Sequence, residues 1–203
     1  GIVKFKRRKN MSVKNGKDVE LCDDYQIEVK NLSFSYGYSE YALKNIDIGI
    51  KKGSKIAFVG KSGSGKTTLV NLFMGMRYPD TGKIYIDGED IQSIALDVLH
   101  QKVAYVQQDI FLFSKSILDN LCMGRNGITE EQLEKIIHDC QLEEIIHKKE
   151  DGLYTVLSEN AHNLSAGEKQ RIGIARALLQ RPEIIIFDEV TSNLDVITEK
   201  EIV

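Results

Sequence analysis

Gly60-Lys61-Ser62-Gly63-Ser64-Gly65-Lys66-Thr67-Thr68 is the stretch from which the rest of the chain is read. Apolar Ile56-Ala57-Phe58-Val59 precedes it and reads as a buried parallel strand. Leu69-Val70-Asn71-Leu72-Phe73-Met74 follows and reads as a helix. Strand, glycine loop, Lys-Thr and helix together make the context that the phosphate-binding pattern G-x-x-x-x-G-K-[ST] requires. Gly60, Gly63 and Gly65 let the main chain come close to a phosphate. Successive backbone N–H groups then line an anion-binding concavity, and the helix N-terminus adds its unpaired donors. Lys66 brings a full charge toward the outer phosphates, and the Thr67 hydroxyl is placed to ligate Mg2+.

At 203 residues the chain is long enough for one domain with a sizeable core. Its 42% hydrophobic and 28% charged residues are ordinary for a globular protein. A formal net charge of -3 gives no support for a nucleic-acid-binding surface, so no nucleic-acid partner is expected. Cys22, Cys122 and Cys140 have neither metal nor disulfide spacing, which points to a reducing compartment. No apolar run approaches the roughly 20 residues that span a bilayer.

Outward from the loop, Ile46, Ile48 and Ile50 alternate cleanly with polar residues. Ile27 and Val29 do the same, and Leu32 and Phe34 continue on a shifted phase. These are predicted to be antiparallel strands with one wet face. Pro79-Asp80-Thr81-Gly82 is a turn signal, followed by a strand at Ile84-Tyr85-Ile86 and a turn at Asp87-Gly88. Val103 to Val106 reads as a buried strand. Thr129 three residues before Gln132 is a capping-box pattern opening a helix, with Leu133, Ile136 and Ile137 on one face. Shorter and longer helices are predicted over Leu142–His147 and about Ala166–Gln180, the latter closed by Pro182. Ile184 to Phe187 is then a buried strand that ends in Asp188-Glu189. After a phosphate loop, Asp188 is placed to orient Mg2+ and Glu189 to polarise an attacking water.

With these residues the chain resembles the ATP-binding domain of the ABC transporter family over about Tyr25 to Val203. Phe34-Ser35-Tyr36 resembles the segment whose ring stacks on adenine, which implies that role for Tyr36; a strand tyrosine packed in the core is the alternative. Tyr105-Val106-Gln107-Gln108-Asp109 resembles the Q-loop, with Gln108 aligned to the glutamine that reaches Mg2+ and the water. Leu164-Ser165-Ala166-Gly167-Glu168 resembles the signature motif, and Ser192-Asn193-Leu194-Asp195 the D-loop, which implies dimer coupling through Asp195. The resemblance implies an α/β fold: a P-loop NTPase core with a mostly parallel sheet, an N-terminal antiparallel β subdomain and an inserted helical subdomain at about 109–170. It implies ATP held by Tyr36, Gly60, Lys61, Ser62, Gly63, Ser64, Gly65, Lys66, Thr67 and Thr68. Mg2+ falls to Thr67, Gln108 and Asp188, and catalysis to Glu189, Gln108 and Lys66. It further implies a head-to-tail dimer, homo- or heteromeric, in which Ser165, Ala166, Gly167 and Glu168 face the ATP of the other copy.

Exporter features stand beside these. Phe113 to Leu121 resembles the segment on which an exporter's membrane domain docks, and Glu159 precedes the signature as in exporter X-loops. Val156 and Ala161 replace a common glutamate and glycine there, and Leu157-Ser158-Glu159-Asn160 resembles peptide and bacteriocin exporters. The implied place is the cytoplasmic face of the cell membrane, beside a transmembrane domain, fused or separate. Residues 1–24, with basic Lys4 to Lys9, are expected to be a linker or the flank of an upstream membrane segment. Two departures from the family pattern matter. Glu168 stands where glutamine is usual, either capping Ser165 or repelling the γ-phosphate across the dimer. The family's switch histidine lies beyond Val203, and none of His100, His138, His147 or His162 is in its place. The expectation is a C-terminally truncated domain that hydrolyses ATP weakly alone. A soluble ABC-family ATPase and a non-hydrolysing nucleotide-binding regulatory module are the rival readings; the former lacks its usual long insertion here, and intact Lys66, Asp188 and Glu189 argue against the latter.

Overall fold

A computed structural model describes residues 25–37 and 40–188, with the backbone of Lys4 and Phe5. The chain divides into two units, Gly1–His100 and Gln101–Val203. In the first, β1 is Lys4–Phe5, β2 Tyr25–Ser35 and β3 Tyr41–Lys51. Then come β4 (Phe58–Val59), α1 (Lys66–Phe73), β5 (Thr81–Ile86) and β6 (Glu89–Asp90). The main sheet of this unit runs β3-β2-β5-β6 with every pair antiparallel.

The shifted hydrophobic phase of β2 has a structural cause. Ile27 pairs with Ile50 and Val29 with Ile48, but the register slips before Leu32 meets Ile46. At the slip Asn31 takes φ +49°, and its N–H donates to Asp47 Oδ1 at 2.8 Å. The extra residue is a bulge, so all four of Ile27, Val29, Leu32 and Phe34 are buried. The expected wet face is not found on β2, because Gln26 and Glu28 are buried too. Glu28 pairs with Lys30 at 3.2 Å, and the Lys30 ammonium lies 5.3 Å from the Tyr85 ring centre. Long neighbouring side chains cover the polar residues of this central strand. Asp87 (φ +49°) and Gly88 (φ +80°) make the tight turn between β5 and β6.

The parallel sheet is smaller than predicted. Among the described residues the one parallel pair is β7 (Val103–Val106) with β8 (Ile184–Phe187), both in the second unit. The apolar run before the phosphate loop forms only two strand residues. It pairs antiparallel with β1, and Val59 is 53% exposed. A four-residue apolar run carries no information on the direction of its neighbour, which is set by the strand beside it.

Helix α2 (Leu96–Lys102) leads into the second unit. There α3 (Ile117–Cys122), α4 (Glu130–Asp139), α5 (Glu143–His147) and α6 (Ala166–Leu179) pack with the β7–β8 pair. Leu121, Leu142, Ile172 and Ile174 are the centre of one buried cluster, against which Leu133, Ile136 and Ile137 of α4 lie. The capping box predicted at Thr129 and Gln132 is formed. No helix among the described residues is long and apolar enough to cross a membrane.

Gly82, read as part of a turn, lies inside β5 at φ +80°, opposite the bulge. A Cβ there would run into the Lys30 and Asn31 carbonyl oxygens. Gly82→Ala is expected to destabilise the fold by at least about 2 kcal/mol, read as a lowered urea midpoint.

Candidate functional site

The phosphate loop is built on local geometry in the first unit. Gly63 and Gly65 take φ +77° and +91°, a region other residues avoid. Gly65 also sits where a Cβ would meet the Ala42 carbonyl oxygen and Leu43 Cδ2, each at 2.8 Å. A Cβ on Gly60 would meet Ser64 Oγ at 2.6 Å. The loop is thus a cradle with no room for side chains at these two positions. Ser64 N–H donates back to the Lys61 carbonyl at 3.1 Å, closing the turn. Ser64 Oγ is buried with no hydrogen-bond partner among the described residues. Gly65 is the N-cap of α1, and no side chain accepts from the first turn of that helix. Lys66 Nζ donates to the Gly60 carbonyl at 2.8 Å and to that of Lys61 at 3.3 Å. Its ammonium is therefore held over the loop itself. Open backbone donors, a cation and an unpartnered hydroxyl in one cradle fit a polyphosphate.

The two threonines after Lys66 are not equivalent. Thr68 is buried, and its hydroxyl shares a 3.2 Å hydrogen bond with that of Tyr36. Thr67 is exposed at the start of α1. Tyr36 is 47% exposed, with its ring edge-on to Phe34 at 4.9 Å, so the core-packed alternative does not hold. Its ring stands fixed at the surface beside the phosphate-loop helix, as a stacking platform requires.

In the second unit β7 and β8 end side by side. Val106 pairs with Phe187, and the Asp188 N–H donates to the Val106 carbonyl at 3.0 Å. The Tyr105 hydroxyl donates to Asp188 Oδ2 at 2.8 Å. Burial, and next the bond to Asp188, push the Tyr105 hydroxyl up to about 12, so it stays a donor at neutral pH. Gln107 and Gln108 are exposed just past the end of β7. The carboxylate of Asp188 in the second unit and the hydroxyl of Thr67 in the first are each oxygen donors of the type that suits a hard cation such as Mg2+. Glu189 and Asp195 lie outside the described residues, as do residues 6–24.

The signature stretch opens α6. Ser165 Oγ accepts from the Glu168 N–H at 3.3 Å, and Glu168 Oε2 accepts from the Ser165 N–H at 2.6 Å. Glu168 thus closes a capping box on its own helix. A serine hydroxyl accepts through its lone pairs, so the Ser165 O–H proton is left to donate outward. Ser165 and Ala166 are exposed and Gly167 is half-buried.

One set of residues was not legible as functional from the sequence. Asn120 is fully buried and holds the loop before α3 from within. Its Oδ1 accepts from the Phe113 N–H at 2.8 Å, and its Nδ2 donates to the carbonyls of Phe113 (2.9 Å) and Ser116 (3.0 Å). Arg176 donates to the Asn120 carbonyl at 2.8 Å, to Asn120 Oδ1 at 3.2 Å and to the Phe111 carbonyl at 3.0 Å. Arg125 donates to the Arg176 carbonyl at 3.2 Å and to Gln180 Oε1 at 3.0 Å. Burial, and then Arg125, lower the basicity of Arg176. The two guanidiniums border a groove of about 310 Å³ whose apolar wall includes Phe111, Phe113 and Met123. Phe111 is 59% exposed and packs edge-on against Phe113 at 5.0 Å. The available signal was Arg176 itself, a charge four residues after Ile172 on the apolar stripe of α6.

A glycine cradle opening an uncapped helix defines the P-loop class of nucleotide-binding proteins. Within that class, the chain belongs to the ABC transporter family, whose profile matches residues 43–192. It is 44% identical over 180 residues to the pediocin PA-1 transport/processing ATP-binding protein PedD of Pediococcus acidilactici, covering 87% of this chain and 25% of that one. It is 40% identical over 176 residues to the beta-(1→2)glucan export ATP-binding/permease protein NdvA of Rhizobium etli, covering 87% of this chain and 30% of that one. A solved bacterial Atm1-family ABC exporter with ATP bound matches with TM-score 0.81 at 34% identity, over 87% of this chain and 31% of that one. The chain therefore spans about a quarter to a third of these relatives' length.

Removing the Asn120 amide strands the Phe113 N–H and part of Arg176 in a buried place. Asn120→Ala is expected to cost about 3 kcal/mol of stability and to speed amide exchange at Phe113 selectively, measured by urea melts and hydrogen exchange.

Proposed function

We propose that this chain is the ATP-binding and ATP-hydrolysing domain of an ABC exporter. The observation that carries the proposal is the Gly60–Thr68 cradle, with its open helix N-terminus and the Lys66 ammonium poised over it. Residues 25–203 form the domain, with a helical insert at about 109–170, and residues 1–24 are a linker or tail. The backbone N–H groups of the loop and Lys66 bind the phosphates. Tyr36 stacks on the adenine. Thr67, Gln108 and Asp188 would hold Mg2+, which when bound would offset the charge of the phosphates. Glu189 takes the proton from the attacking water.

The working unit is a head-to-tail pair of such domains, in which Ser165, Ala166 and Gly167 of one copy face the nucleotide of the other and Asp195 couples the two. The Ser165 O–H and the start of α6 are the donors offered to the γ-phosphate. Closure stabilised by that phosphate, and release after its hydrolysis, drive a transmembrane domain at the cytoplasmic face of the membrane. The groove beside Phe111 and Phe113 is where that domain docks. A peptide of the bacteriocin kind is the cargo best supported, by the likeness to PedD and by the Leu157–Asn160 stretch.

Glu189→Gln is expected to lower ATP turnover about a hundredfold or more while leaving ATP binding intact. Lys66→Ala is expected to weaken binding itself by about tenfold. Phosphate release and nucleotide titration, measured in the intact transporter, check both. Equal turnover in Glu189→Gln and the parent would point instead to a regulatory binding module. Glu168→Gln keeps the capping box, since glutamine serves at that position. It is expected to leave ATP-driven dimer affinity unchanged; tighter dimerisation would assign the carboxylate a repulsive role.

A further inference from the structure

The Tyr105 side chain does two things together. Its hydroxyl is bonded to Asp188 Oδ2 at 2.8 Å, and it lines the groove that also holds Phe111, Phe113 and Arg176. The bond crosses between neighbouring parallel strands, where Tyr105 pairs with Ile186 two residues before Asp188. The Asp188 backbone is tied to the same strand through the Val106 carbonyl. A carboxylate on a short side chain rotates freely about its last torsion and offers either oxygen. Here the hydroxyl occupies Oδ2. Among the described residues Oδ1 has no partner.

We propose that Tyr105 is a positioning residue for the metal site: it pins one oxygen of Asp188 so that the other is presented to Mg2+. The inference rests on the reading of Asp188 as a metal organiser. Partners that orient a ligating carboxylate contribute to metal affinity without touching the metal, and their loss costs roughly 10- to 100-fold in affinity. Phenylalanine at this position keeps the ring, the groove wall and the strand pairing, and removes only the donor.

The test uses the intact transporter with a non-hydrolysable ATP analogue and Mn2+ as the spectroscopic probe. In Tyr105→Phe, Mn2+ affinity read by electron paramagnetic resonance is expected to fall about tenfold. The Mg2+ concentration for half-maximal turnover is expected to rise in step, and affinity for the analogue without metal to stay unchanged. Mn2+ affinity within about twofold of the parent, with an unchanged melting temperature, overturns the proposal. Asp188→Asn is the control for the underlying reading. If that variant loses Mn2+ while Tyr105→Phe does not, the Tyr105 role alone fails; if it keeps Mn2+ affinity, the metal-site reading falls with it. Should Tyr105→Phe fail to fold, 3-fluorotyrosine at position 105 keeps the bond and supplies a reporter. Its fluorine resonance is expected to shift when Mg2+ is added to the analogue-bound protein, and an unmoved resonance overturns the proposal.

Discussion

The backbone N–H groups in the first turn of α1 have no side chain to accept from them, and the character of the site follows from that. The contrast lies within the same chain. Helices α3, α4 and α6 each open with a complete capping box, from Ser116 and Asp119, Thr129 and Gln132, and Ser165 and Glu168. Each of those boxes satisfies two of the backbone donors at its helix start from within. Helix α1 instead begins at Gly65, which has no side chain to offer and is pressed against the Ala42 carbonyl and Leu43. Any residue that could cap α1 would also fill the cradle that the loop glycines leave open. The loop glycines, the Lys66 ammonium folded over their carbonyls and the Tyr36–Thr68 bond are arranged around that open end.

The signature helix answers the same physics differently. Glu168 supplies the negative charge that a helix N-terminus attracts, and it does so from within the helix. Ser165 is then committed as an acceptor and left available as a donor, because a hydroxyl carries both functions. The carboxylate that stands in place of the usual glutamine has a partner within its own helix.

How far the sequence could be read depended on whether a feature was local. Capping boxes are fixed by residues three apart, and all of those predicted were found. The shifted phase at Leu32 was a faithful trace of the bulge at Asn31, because period-two alternation registers every inserted residue. Non-local facts were not legible. The direction and neighbour of β4 depend on a partner strand far away in the chain. The burial of Glu28 depends on Lys30 and Tyr85 folding over it. Arg176 and Asn120 looked like one charge and one amide among many. Their roles arise from a meeting of segments 56 residues apart in sequence. Of the site, the glycine positions of the loop were readable, and the setting of the strand before it was not. The bond from Tyr105 to Asp188 was not, since it joins two strands separated by most of the second unit.

The network around Arg176 makes α6 a mechanical part of its unit. Ser165 at its head and Arg176 near its tail are eleven steps apart, about 16 Å of nearly rigid rod. Near the tail one guanidinium donates once to the Phe111 carbonyl and twice to Asn120, and Asn120 in turn holds Phe113, Lys115 and Ser116. The head ends in a serine at the surface, with Leu164 before it and Gln170 after it buried. A rod seated in this way carries a displacement of the loop along its length instead of bending. Part of its stiffness therefore resides in the hydrogen bonds of one arginine and one asparagine.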